Sequence, residues 1–177
     1  MRRPLAALLR ATPPDQSVLR LRPEELAQRN IQALALDFDG VLAPHGAGEV
    51  LPDVADWLAA CCRRLGPERV LILSNRPTPE RRLMLERCFP GVRLISGVRK
   101  KPYVDGLIAT GELAGVPLSG ILMVDDRLLT GCLAALRAGA IPFYVRAPFV
   151  KLRHNLLPEL FFMALRLFER WYVRLIG

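Results

Sequence analysis

Five short apolar runs, at 31–36, 70–74, 93–96, 120–124 and 141–145, alternate with stretches of helical periodicity near 53–65, 78–88, 103–113 and 127–138. Strands this short and this continuously apolar are buried on both faces, and strands joined through helices pair in parallel. The expected class is α/β, a parallel sheet flanked by helices. In open sheets of this kind ligands bind beyond the carboxyl ends of the strands. At 177 residues the chain can bury an ordinary core as one domain, and it shows no internal repeat or low-complexity tract. Its four cysteines, Cys61, Cys62, Cys88 and Cys132, form neither CxxC pairs nor a secreted-type framework, which fits a reducing cytosol.

The first run lies in IQALALDFDGVL at 31–42 and stops at two carboxylates, Asp37 and Asp39, followed by Gly40. Residues two apart on an extended segment point the same way, so Asp37 and Asp39 can face one reaction centre while Phe38 turns into the core. Alone, the motif also fits a strand ending in an Asx-type turn. Three further stations follow. The run VLILS at 70–74 leads into Asn75 and Arg76 after Ser74; Lys100 and Lys101 precede Pro102, a residue suited to the first turn of a helix; and GILMV at 120–124 ends in Asp125 and Asp126. Taken singly these read as helix caps, a solvated lysine and helix N-terminal charges. As an ordered set at strand ends they point to chemistry on a phosphate.

Over residues 31–146 the four stations resemble the motifs of the haloacid dehalogenase-like (HAD) phosphohydrolases. Within that superfamily the chain resembles the YqeG-like type IIIA phosphatases, relatives of the mitochondrial phosphatidylglycerophosphate phosphatase. The segments that carry this are PDQSVLRLRPEELAQRNIQALALDFDGVL at 14–42, KKP at 100–102 and DDRLLTG at 125–131. The resemblance implies a Rossmann-like HAD fold whose first strand is central, flanked by the second and fourth. YqeG-like relatives commonly read Gly-Asp-Gln-x-x-Thr-Asp at the last station. Aligning Thr130 puts Asp126 on the metal-binding acid, Asp125 on the glycine, Arg127 on the glutamine and Gly131 on the second acid, which this chain lacks. Other HAD enzymes use an adjacent Asp-Asp pair, so Asp125 is a candidate for the lost charge, and the metal acid is one of Asp125 and Asp126. DFDGVL in place of DLDNTL and SNR in place of SNN remain compatible with the motif chemistry.

A phosphomonoester repels an anionic nucleophile unless charge is neutralised, and Mg²⁺, a hard cation preferring oxygen ligands, does this. On this reading Asp37 attacks phosphorus to form an aspartyl-phosphate, and Asp39 protonates the leaving alkoxide and then activates water. Ser74 hydrogen-bonds a phosphoryl oxygen and Lys101 offsets charge, with Lys100 the alternative lysine. Gly40, Asn75 and Arg76 are expected around the substrate. Metal ligands would be Asp37, the backbone carbonyl of Asp39, and Asp125 or Asp126. The spacing between stations accommodates one crossover helix each and no cap domain, leaving a mouth open to a bulky or surface-embedded substrate.

The net charge of +8 is concentrated at the ends: +3 over residues 1–30, +1 over 31–145 and +4 over 146–177. The chain therefore divides into a basic N-terminal segment (1–30), a phosphatase core (31–146) and a basic amphipathic helix (147–177). The last segment is rich in aromatic residues and carries Arg166, Arg170 and Arg174 at a spacing of four, a basic stripe down one face. Too charged to span a bilayer, it suits a helix lying in the membrane interface and drawn to anionic phospholipid. The alternative is a terminal helix packed on the domain with its arginines in water. MRRPLAALLR at 1–10 repeats the pattern in a lesser form, its apolar stretch too short and interrupted for a signal peptide. No nucleic-acid recognition module is visible. The expectation is a cytoplasmic protein, peripheral on the inner face of the membrane, that dephosphorylates phosphatidylglycerophosphate. A soluble phosphatase of sugar phosphates or nucleotides and a silent membrane-bound adaptor are the alternatives.

Overall fold

The computed structural model describes residues 2–75, 78–151 and 156–177. At its centre lies β1 (Ala33–Leu36), whose four residues are all buried, between β2 (Val70–Leu73) and β4 (Ile121–Asp125). With β3 (Arg93–Ile95) and β5 (Ile141–Tyr144) the strands form a five-stranded sheet in the order β3-β2-β1-β4-β5, parallel throughout. Register pairs Leu36 with Ile72 on one side and Val124 on the other, so three strand tips end side by side.

Alternation along the strands builds two cores. Leu34 and Leu36 point to the face covered by α2 (Pro52–Leu65), meeting Trp57 and Leu58, and by Leu85 of α3 (Pro79–Cys88). Ala33 and Ala35 point to the opposite face, where Leu107 of α4 (Asp105–Ala114) and Ala134 of α5 (Leu133–Ala138) close in. Small residues permit that approach: a methyl added at Gly106 would overlap Leu73. A third cluster joins the chain ends. Leu5, Ala6 and Leu9 of α1 (Arg2–Ala11) pack with Val173 of α6 (Leu156–Ile176), Leu128 and Tyr144.

Two elements differ from the sequence expectation. The helix expected from 103 starts at Asp105, because residues 101–104 form a turn that directs Lys101 inward, and the Lys101–Pro102 peptide is cis. The helix expected over 127–138 opens as a wide π-turn, Leu128–Cys132, before α5.

The last helix is amphipathic with its polarity reversed. Glu159, Arg166, Glu169 and Val173 are buried, while Leu157, Leu160, Phe161, Leu167, Trp171 and Leu175 are exposed. Arg166 is therefore not part of an outward basic stripe with Arg174: it is 2% exposed, and its guanidinium finds carboxylate and imidazole partners inside. Among the described residues no helix is long and apolar enough to cross a membrane.

Candidate active site

Past the end of β1 the backbone N–H of Asp37 still donates to the carbonyl of Val124, at 2.9 Å, fixing the Asp37 side chain at the sheet's carboxyl edge. The chain then turns sharply, and the turn needs Gly40. Its φ is +81°, and an added Cβ would come within 2.5 Å of an Asp126 oxygen. Here the sheet edge opens into a cleft of about 780 Å³ lined by Asp37, Asp39, Asn75, Lys101 and Asp126. Ser74 is buried at the end of β2, one residue before Asn75. Arg76 lies outside the described residues.

Lys101 ties the tips of β1 and β4 together. Its Nζ lies 2.8 Å from Asp37 Oδ1 and 2.5 Å from Asp125 Oδ2, and its backbone N–H donates to Asn75 Oδ1 at 3.1 Å. Lys100 also lines the cleft but is exposed, whereas Lys101 is buried and is the lysine that reaches Asp37 and Asp125. Asn75, expected on the substrate, thus also holds the lysine loop.

The adjacent acids are held differently. Asp125 is fully buried; besides Lys101 it accepts the Arg127 backbone N–H at 2.8 Å and the Thr130 hydroxyl at 3.3 Å. A methyl added at Gly131 would overlap the Asp125 Cβ and carboxylate, so Asp125 fills the volume that a side chain at 131 would occupy. Asp126 lines the cleft and accepts a hydrogen bond from Arg166 Nε of α6 at 2.6 Å.

Six residues around the cleft carry no signal in the four motifs. Arg81, on α3, reaches Asp39 through both terminal nitrogens at 2.9 and 2.6 Å, donates from Nε to the Ala47 carbonyl, and lies 4.0 Å over the Phe38 ring. The Arg166 guanidinium also contacts His45 Nε2 at 2.6 Å, and the His45 ring stacks on Phe162 of α6 with centroids 3.9 Å apart. Glu159 accepts the backbone N–H of His45 at 3.1 Å, and Glu169 accepts from Arg127 Nε at 2.7 Å. The signal for α6 lies in its spacing. Residues 159, 162, 166, 169 and 173 repeat at three and four, marking one helix face that carries charge inside an apolar segment.

Charge balance in the cleft leaves the carboxylates in excess. Burial, reinforced by the Asp125 and Asp39 charges, pushes Asp37 up to about 6 even against Lys101. Burial pushes Asp126 up to about 8 against the pull of Arg166, with Asp125 and Asp37 adding to the rise. Burial opposes the charged form of Lys101, but Asp125 and Asp37 outweigh it and keep the ammonium protonated. Burial also works against ionised Asp39, yet the Arg81 hydrogen bonds and charge hold it below the ordinary range. His45 is lowered to about 4 by burial and by the Arg166 charge, and is neutral at pH 7.

Asp37, Asp125 and Asp126 each offer an oxygen within 4.8 Å of the others. One half-buried acid and two buried ones, with Asp37 and Asp126 held above their ordinary range, fit a hard divalent cation on oxygen ligands. Asp125 spends one oxygen on Lys101 and the other on Arg127 and Thr130, whereas Asp126 faces the cleft.

The sequence model of the family described as mitochondrial PGP phosphatase matches residues 3–150. The chain belongs to that family. It is accordingly a HAD-type phosphatase, a hydrolase of phosphoric monoesters. The match takes in the whole sheet and all four motif stations and stops before α6. A solved structure, described as an uncharacterized protein from Corynebacterium glutamicum ATCC 13032 Kitasato, shares the fold. It is 23% identical, with a TM-score of 0.51, and the alignment covers 72% of this chain and 91% of that one. None of the curated proteins matches the chain significantly.

Proposed function

We propose that this PGP phosphatase family member hydrolyses phosphatidylglycerophosphate to phosphatidylglycerol at a membrane surface, through an aspartyl-phosphate on Asp37 and with Mg²⁺ in the acidic cluster. The observation that carries the chemistry is Lys101, buried between Asp37 and Asp125 at the edge of the sheet. A lysine so placed keeps Asp37 oriented and offsets the charge that gathers when an anionic ester approaches it.

Asp37, Asp126 and the backbone carbonyl of Asp39 would hold the cation, with Asp125 beside it. When bound, the cation supplies positive charge that lets a carboxylate approach a phosphate dianion. Asp37 attacks phosphorus as the bond from phosphorus to the glycerol oxygen breaks, and Asp39 gives that oxygen a proton. In the second half Asp39 takes a proton from water as the water oxygen attacks phosphorus, and the bond to Asp37 breaks, releasing phosphate. Ser74, Asn75 and Arg76 orient the phosphoryl oxygens. In the structure Arg81 favours ionised Asp39, the form the second half requires; donation in the first half requires that ion pair to loosen.

The test is phosphate release from phosphatidylglycerophosphate in mixed micelles with Mg²⁺, beside soluble phosphoesters and an Asp37→Asn protein. Lipid-selective, Asp37-dependent release is expected. Release from soluble esters alone would discard the lipid and keep the chemistry. Full activity of Asp37→Asn would overturn the covalent route, and silence on every ester would favour a non-catalytic scaffold.

A further inference from the structure

α6 turns a polar face inward and an apolar face outward, the reverse of a surface helix packed on a soluble domain. The inward face is committed to the cleft: Glu159 to the His45 loop, Arg166 to Asp126, and Glu169 to Arg127. The outward face is left to whatever lies outside. Leu157 is 79% exposed, Phe161 62%, Leu167 61%, Trp171 57% and Leu175 68%. From Leu157 to Leu175 the face extends about 27 Å at 1.5 Å per residue. Its first turns adjoin the cleft, whose wall includes Pro158 and Phe162. Isolated apolar side chains on a surface are ordinary, but a continuous face of this length marks an interaction site.

Charge decides the occupant. The acids of α6, Glu159 and Glu169, are buried, so the exposed charges of α6 and of α1 beside it are Arg174, Arg2, Arg3 and Arg10, all positive. Two such faces pressed together would oppose arginine to arginine, which disfavours a second copy. An anionic bilayer meets both features: its acyl boundary accepts the leucines and aromatic rings, and its headgroups attract the arginines.

We propose that the outward face of α6, with the arginines of α1 and Arg174 at its border, docks on anionic lipid and sets the mouth of the catalytic cleft at the bilayer surface. The inference extends the lipid-substrate reading above and assigns it a surface, on a helix beyond the family match. Docking and catalytic geometry are then properties of one rigid element, since the residues opposite the lipid face hold the loops bearing His45, Asp126 and Arg127.

The experiment uses the full chain with vesicles of phosphatidylcholine, with and without phosphatidylglycerol, read by co-sedimentation and by emission of exposed Trp171 against buried Trp57. Binding that strengthens with phosphatidylglycerol, together with a blue shift, is expected. The combined variant Leu157→Gln, Leu167→Gln, Leu175→Gln should weaken binding by at least about tenfold, since three large side chains leave the interface. Hydrolysis of p-nitrophenyl phosphate should be unchanged. Arg174→Gln should weaken binding to the anionic vesicles by about fivefold. Equal vesicle binding by the combined variant and the parent would overturn the proposal. So would a dimer that the variant dissociates, in a parent that ignores vesicles. Vesicle binding without hydrolysis of phosphatidylglycerophosphate would remove the substrate reading and leave the docking surface. Hydrolysis of that lipid in micelles by a parent that fails to bind vesicles would do the reverse.

Discussion

Exchanging the acid between positions 125 and 131 tests whether one pocket beside Lys101 can be filled from either side. Asp125 is 0% exposed and ties Lys101, the Arg127 backbone and Thr130 together, while a side chain at Gly131 would overlap it. Asp125→Gly leaves Lys101 buried with only Asp37 opposite, and removing one partner of a buried pair costs about 3–5 kcal/mol. Gly131→Asp forces a second carboxylate into occupied space, an overpacking of about 1–3 kcal/mol to which the cost of burying the added charge is joined. For a chain of this size each kcal/mol lowers the melting temperature by about 2–4 °C, so Asp125→Gly should lose about 6–20 °C. In the double variant the glycine vacates the volume the new aspartate needs, and Lys101 regains its acid. Thermal unfolding of the parent, both single variants and the double closes a cycle, and the double should be more stable than additivity predicts by at least about 2 kcal/mol. Phosphatase activity lost in the singles should return in part. Additive losses, with no coupling, would refute the shared-volume account.

Three further outcomes are expected. Above about pH 8, where Asp126 is ionised, Arg166→Met strands its buried carboxylate and should cost about 3–5 kcal/mol in chelator; Mg²⁺ should narrow that deficit in melting temperature, and an unchanged gap would separate Asp126 from the metal. Asp126 is raised from 3.8 to about 8, so the folded state holds its proton more tightly than the unfolded chain does. The stability this gives is present at low pH and lost as pH rises through about 8. In chelator the melting temperature should therefore fall between about pH 6.5 and 8, above the range where His45, lowered from 6.5 to about 4, contributes the opposite slope; Asp126→Asn should flatten the fall. Arg81→Gln removes the charge that keeps Asp39 ionised, so the acid limb of the pH–rate profile should move to higher pH and kcat should fall; an unmoved limb would detach Arg81 from Asp39 in the reaction.

The sheet was legible because buried parallel strands are nearly pure apolar runs, and ALAL and VLIL leave little else for the chain to do there. The central position of β1 came with the family resemblance, and the structure bears it out. Asp37, Asp39 and Asn75 line the cleft, and of the two lysines in its wall Lys101 is the buried one. Arg81 escaped notice because a buried arginine in the first turn of α3 reads, from sequence, as one more solvated helix charge. The same holds for Arg166. Its partners, Asp126 and His45, are 40 and 121 residues away, and no local pattern reports a contact made at that distance. The reversed polarity of α6 follows from those partners. A helix turns its charged face inward when the domain supplies partners that offset desolvation, and here Asp126 does so for Arg166, Arg127 for Glu169 and the His45 backbone N–H for Glu159.

The same physics explains why Asp125 and Gly131 belong together. The Gly-Asp-Gln-x-x-Thr-Asp pattern that the resemblance brings has glycine at the first of these positions and an acid at the second; this chain carries the acid first and glycine second. The wide π-turn at Leu128–Cys132 brings position 131 against position 125 so closely that only one of the two can bear a side chain. Lys101 requires an acid beside Asp37, and the pocket admits one from either strand tip or turn. We read the glycine at 131 as a change in which backbone position supplies the carboxylate, the reading that the exchange of residues 125 and 131 tests. It leaves Asp126 as the acid facing the cleft, with Arg166 against it.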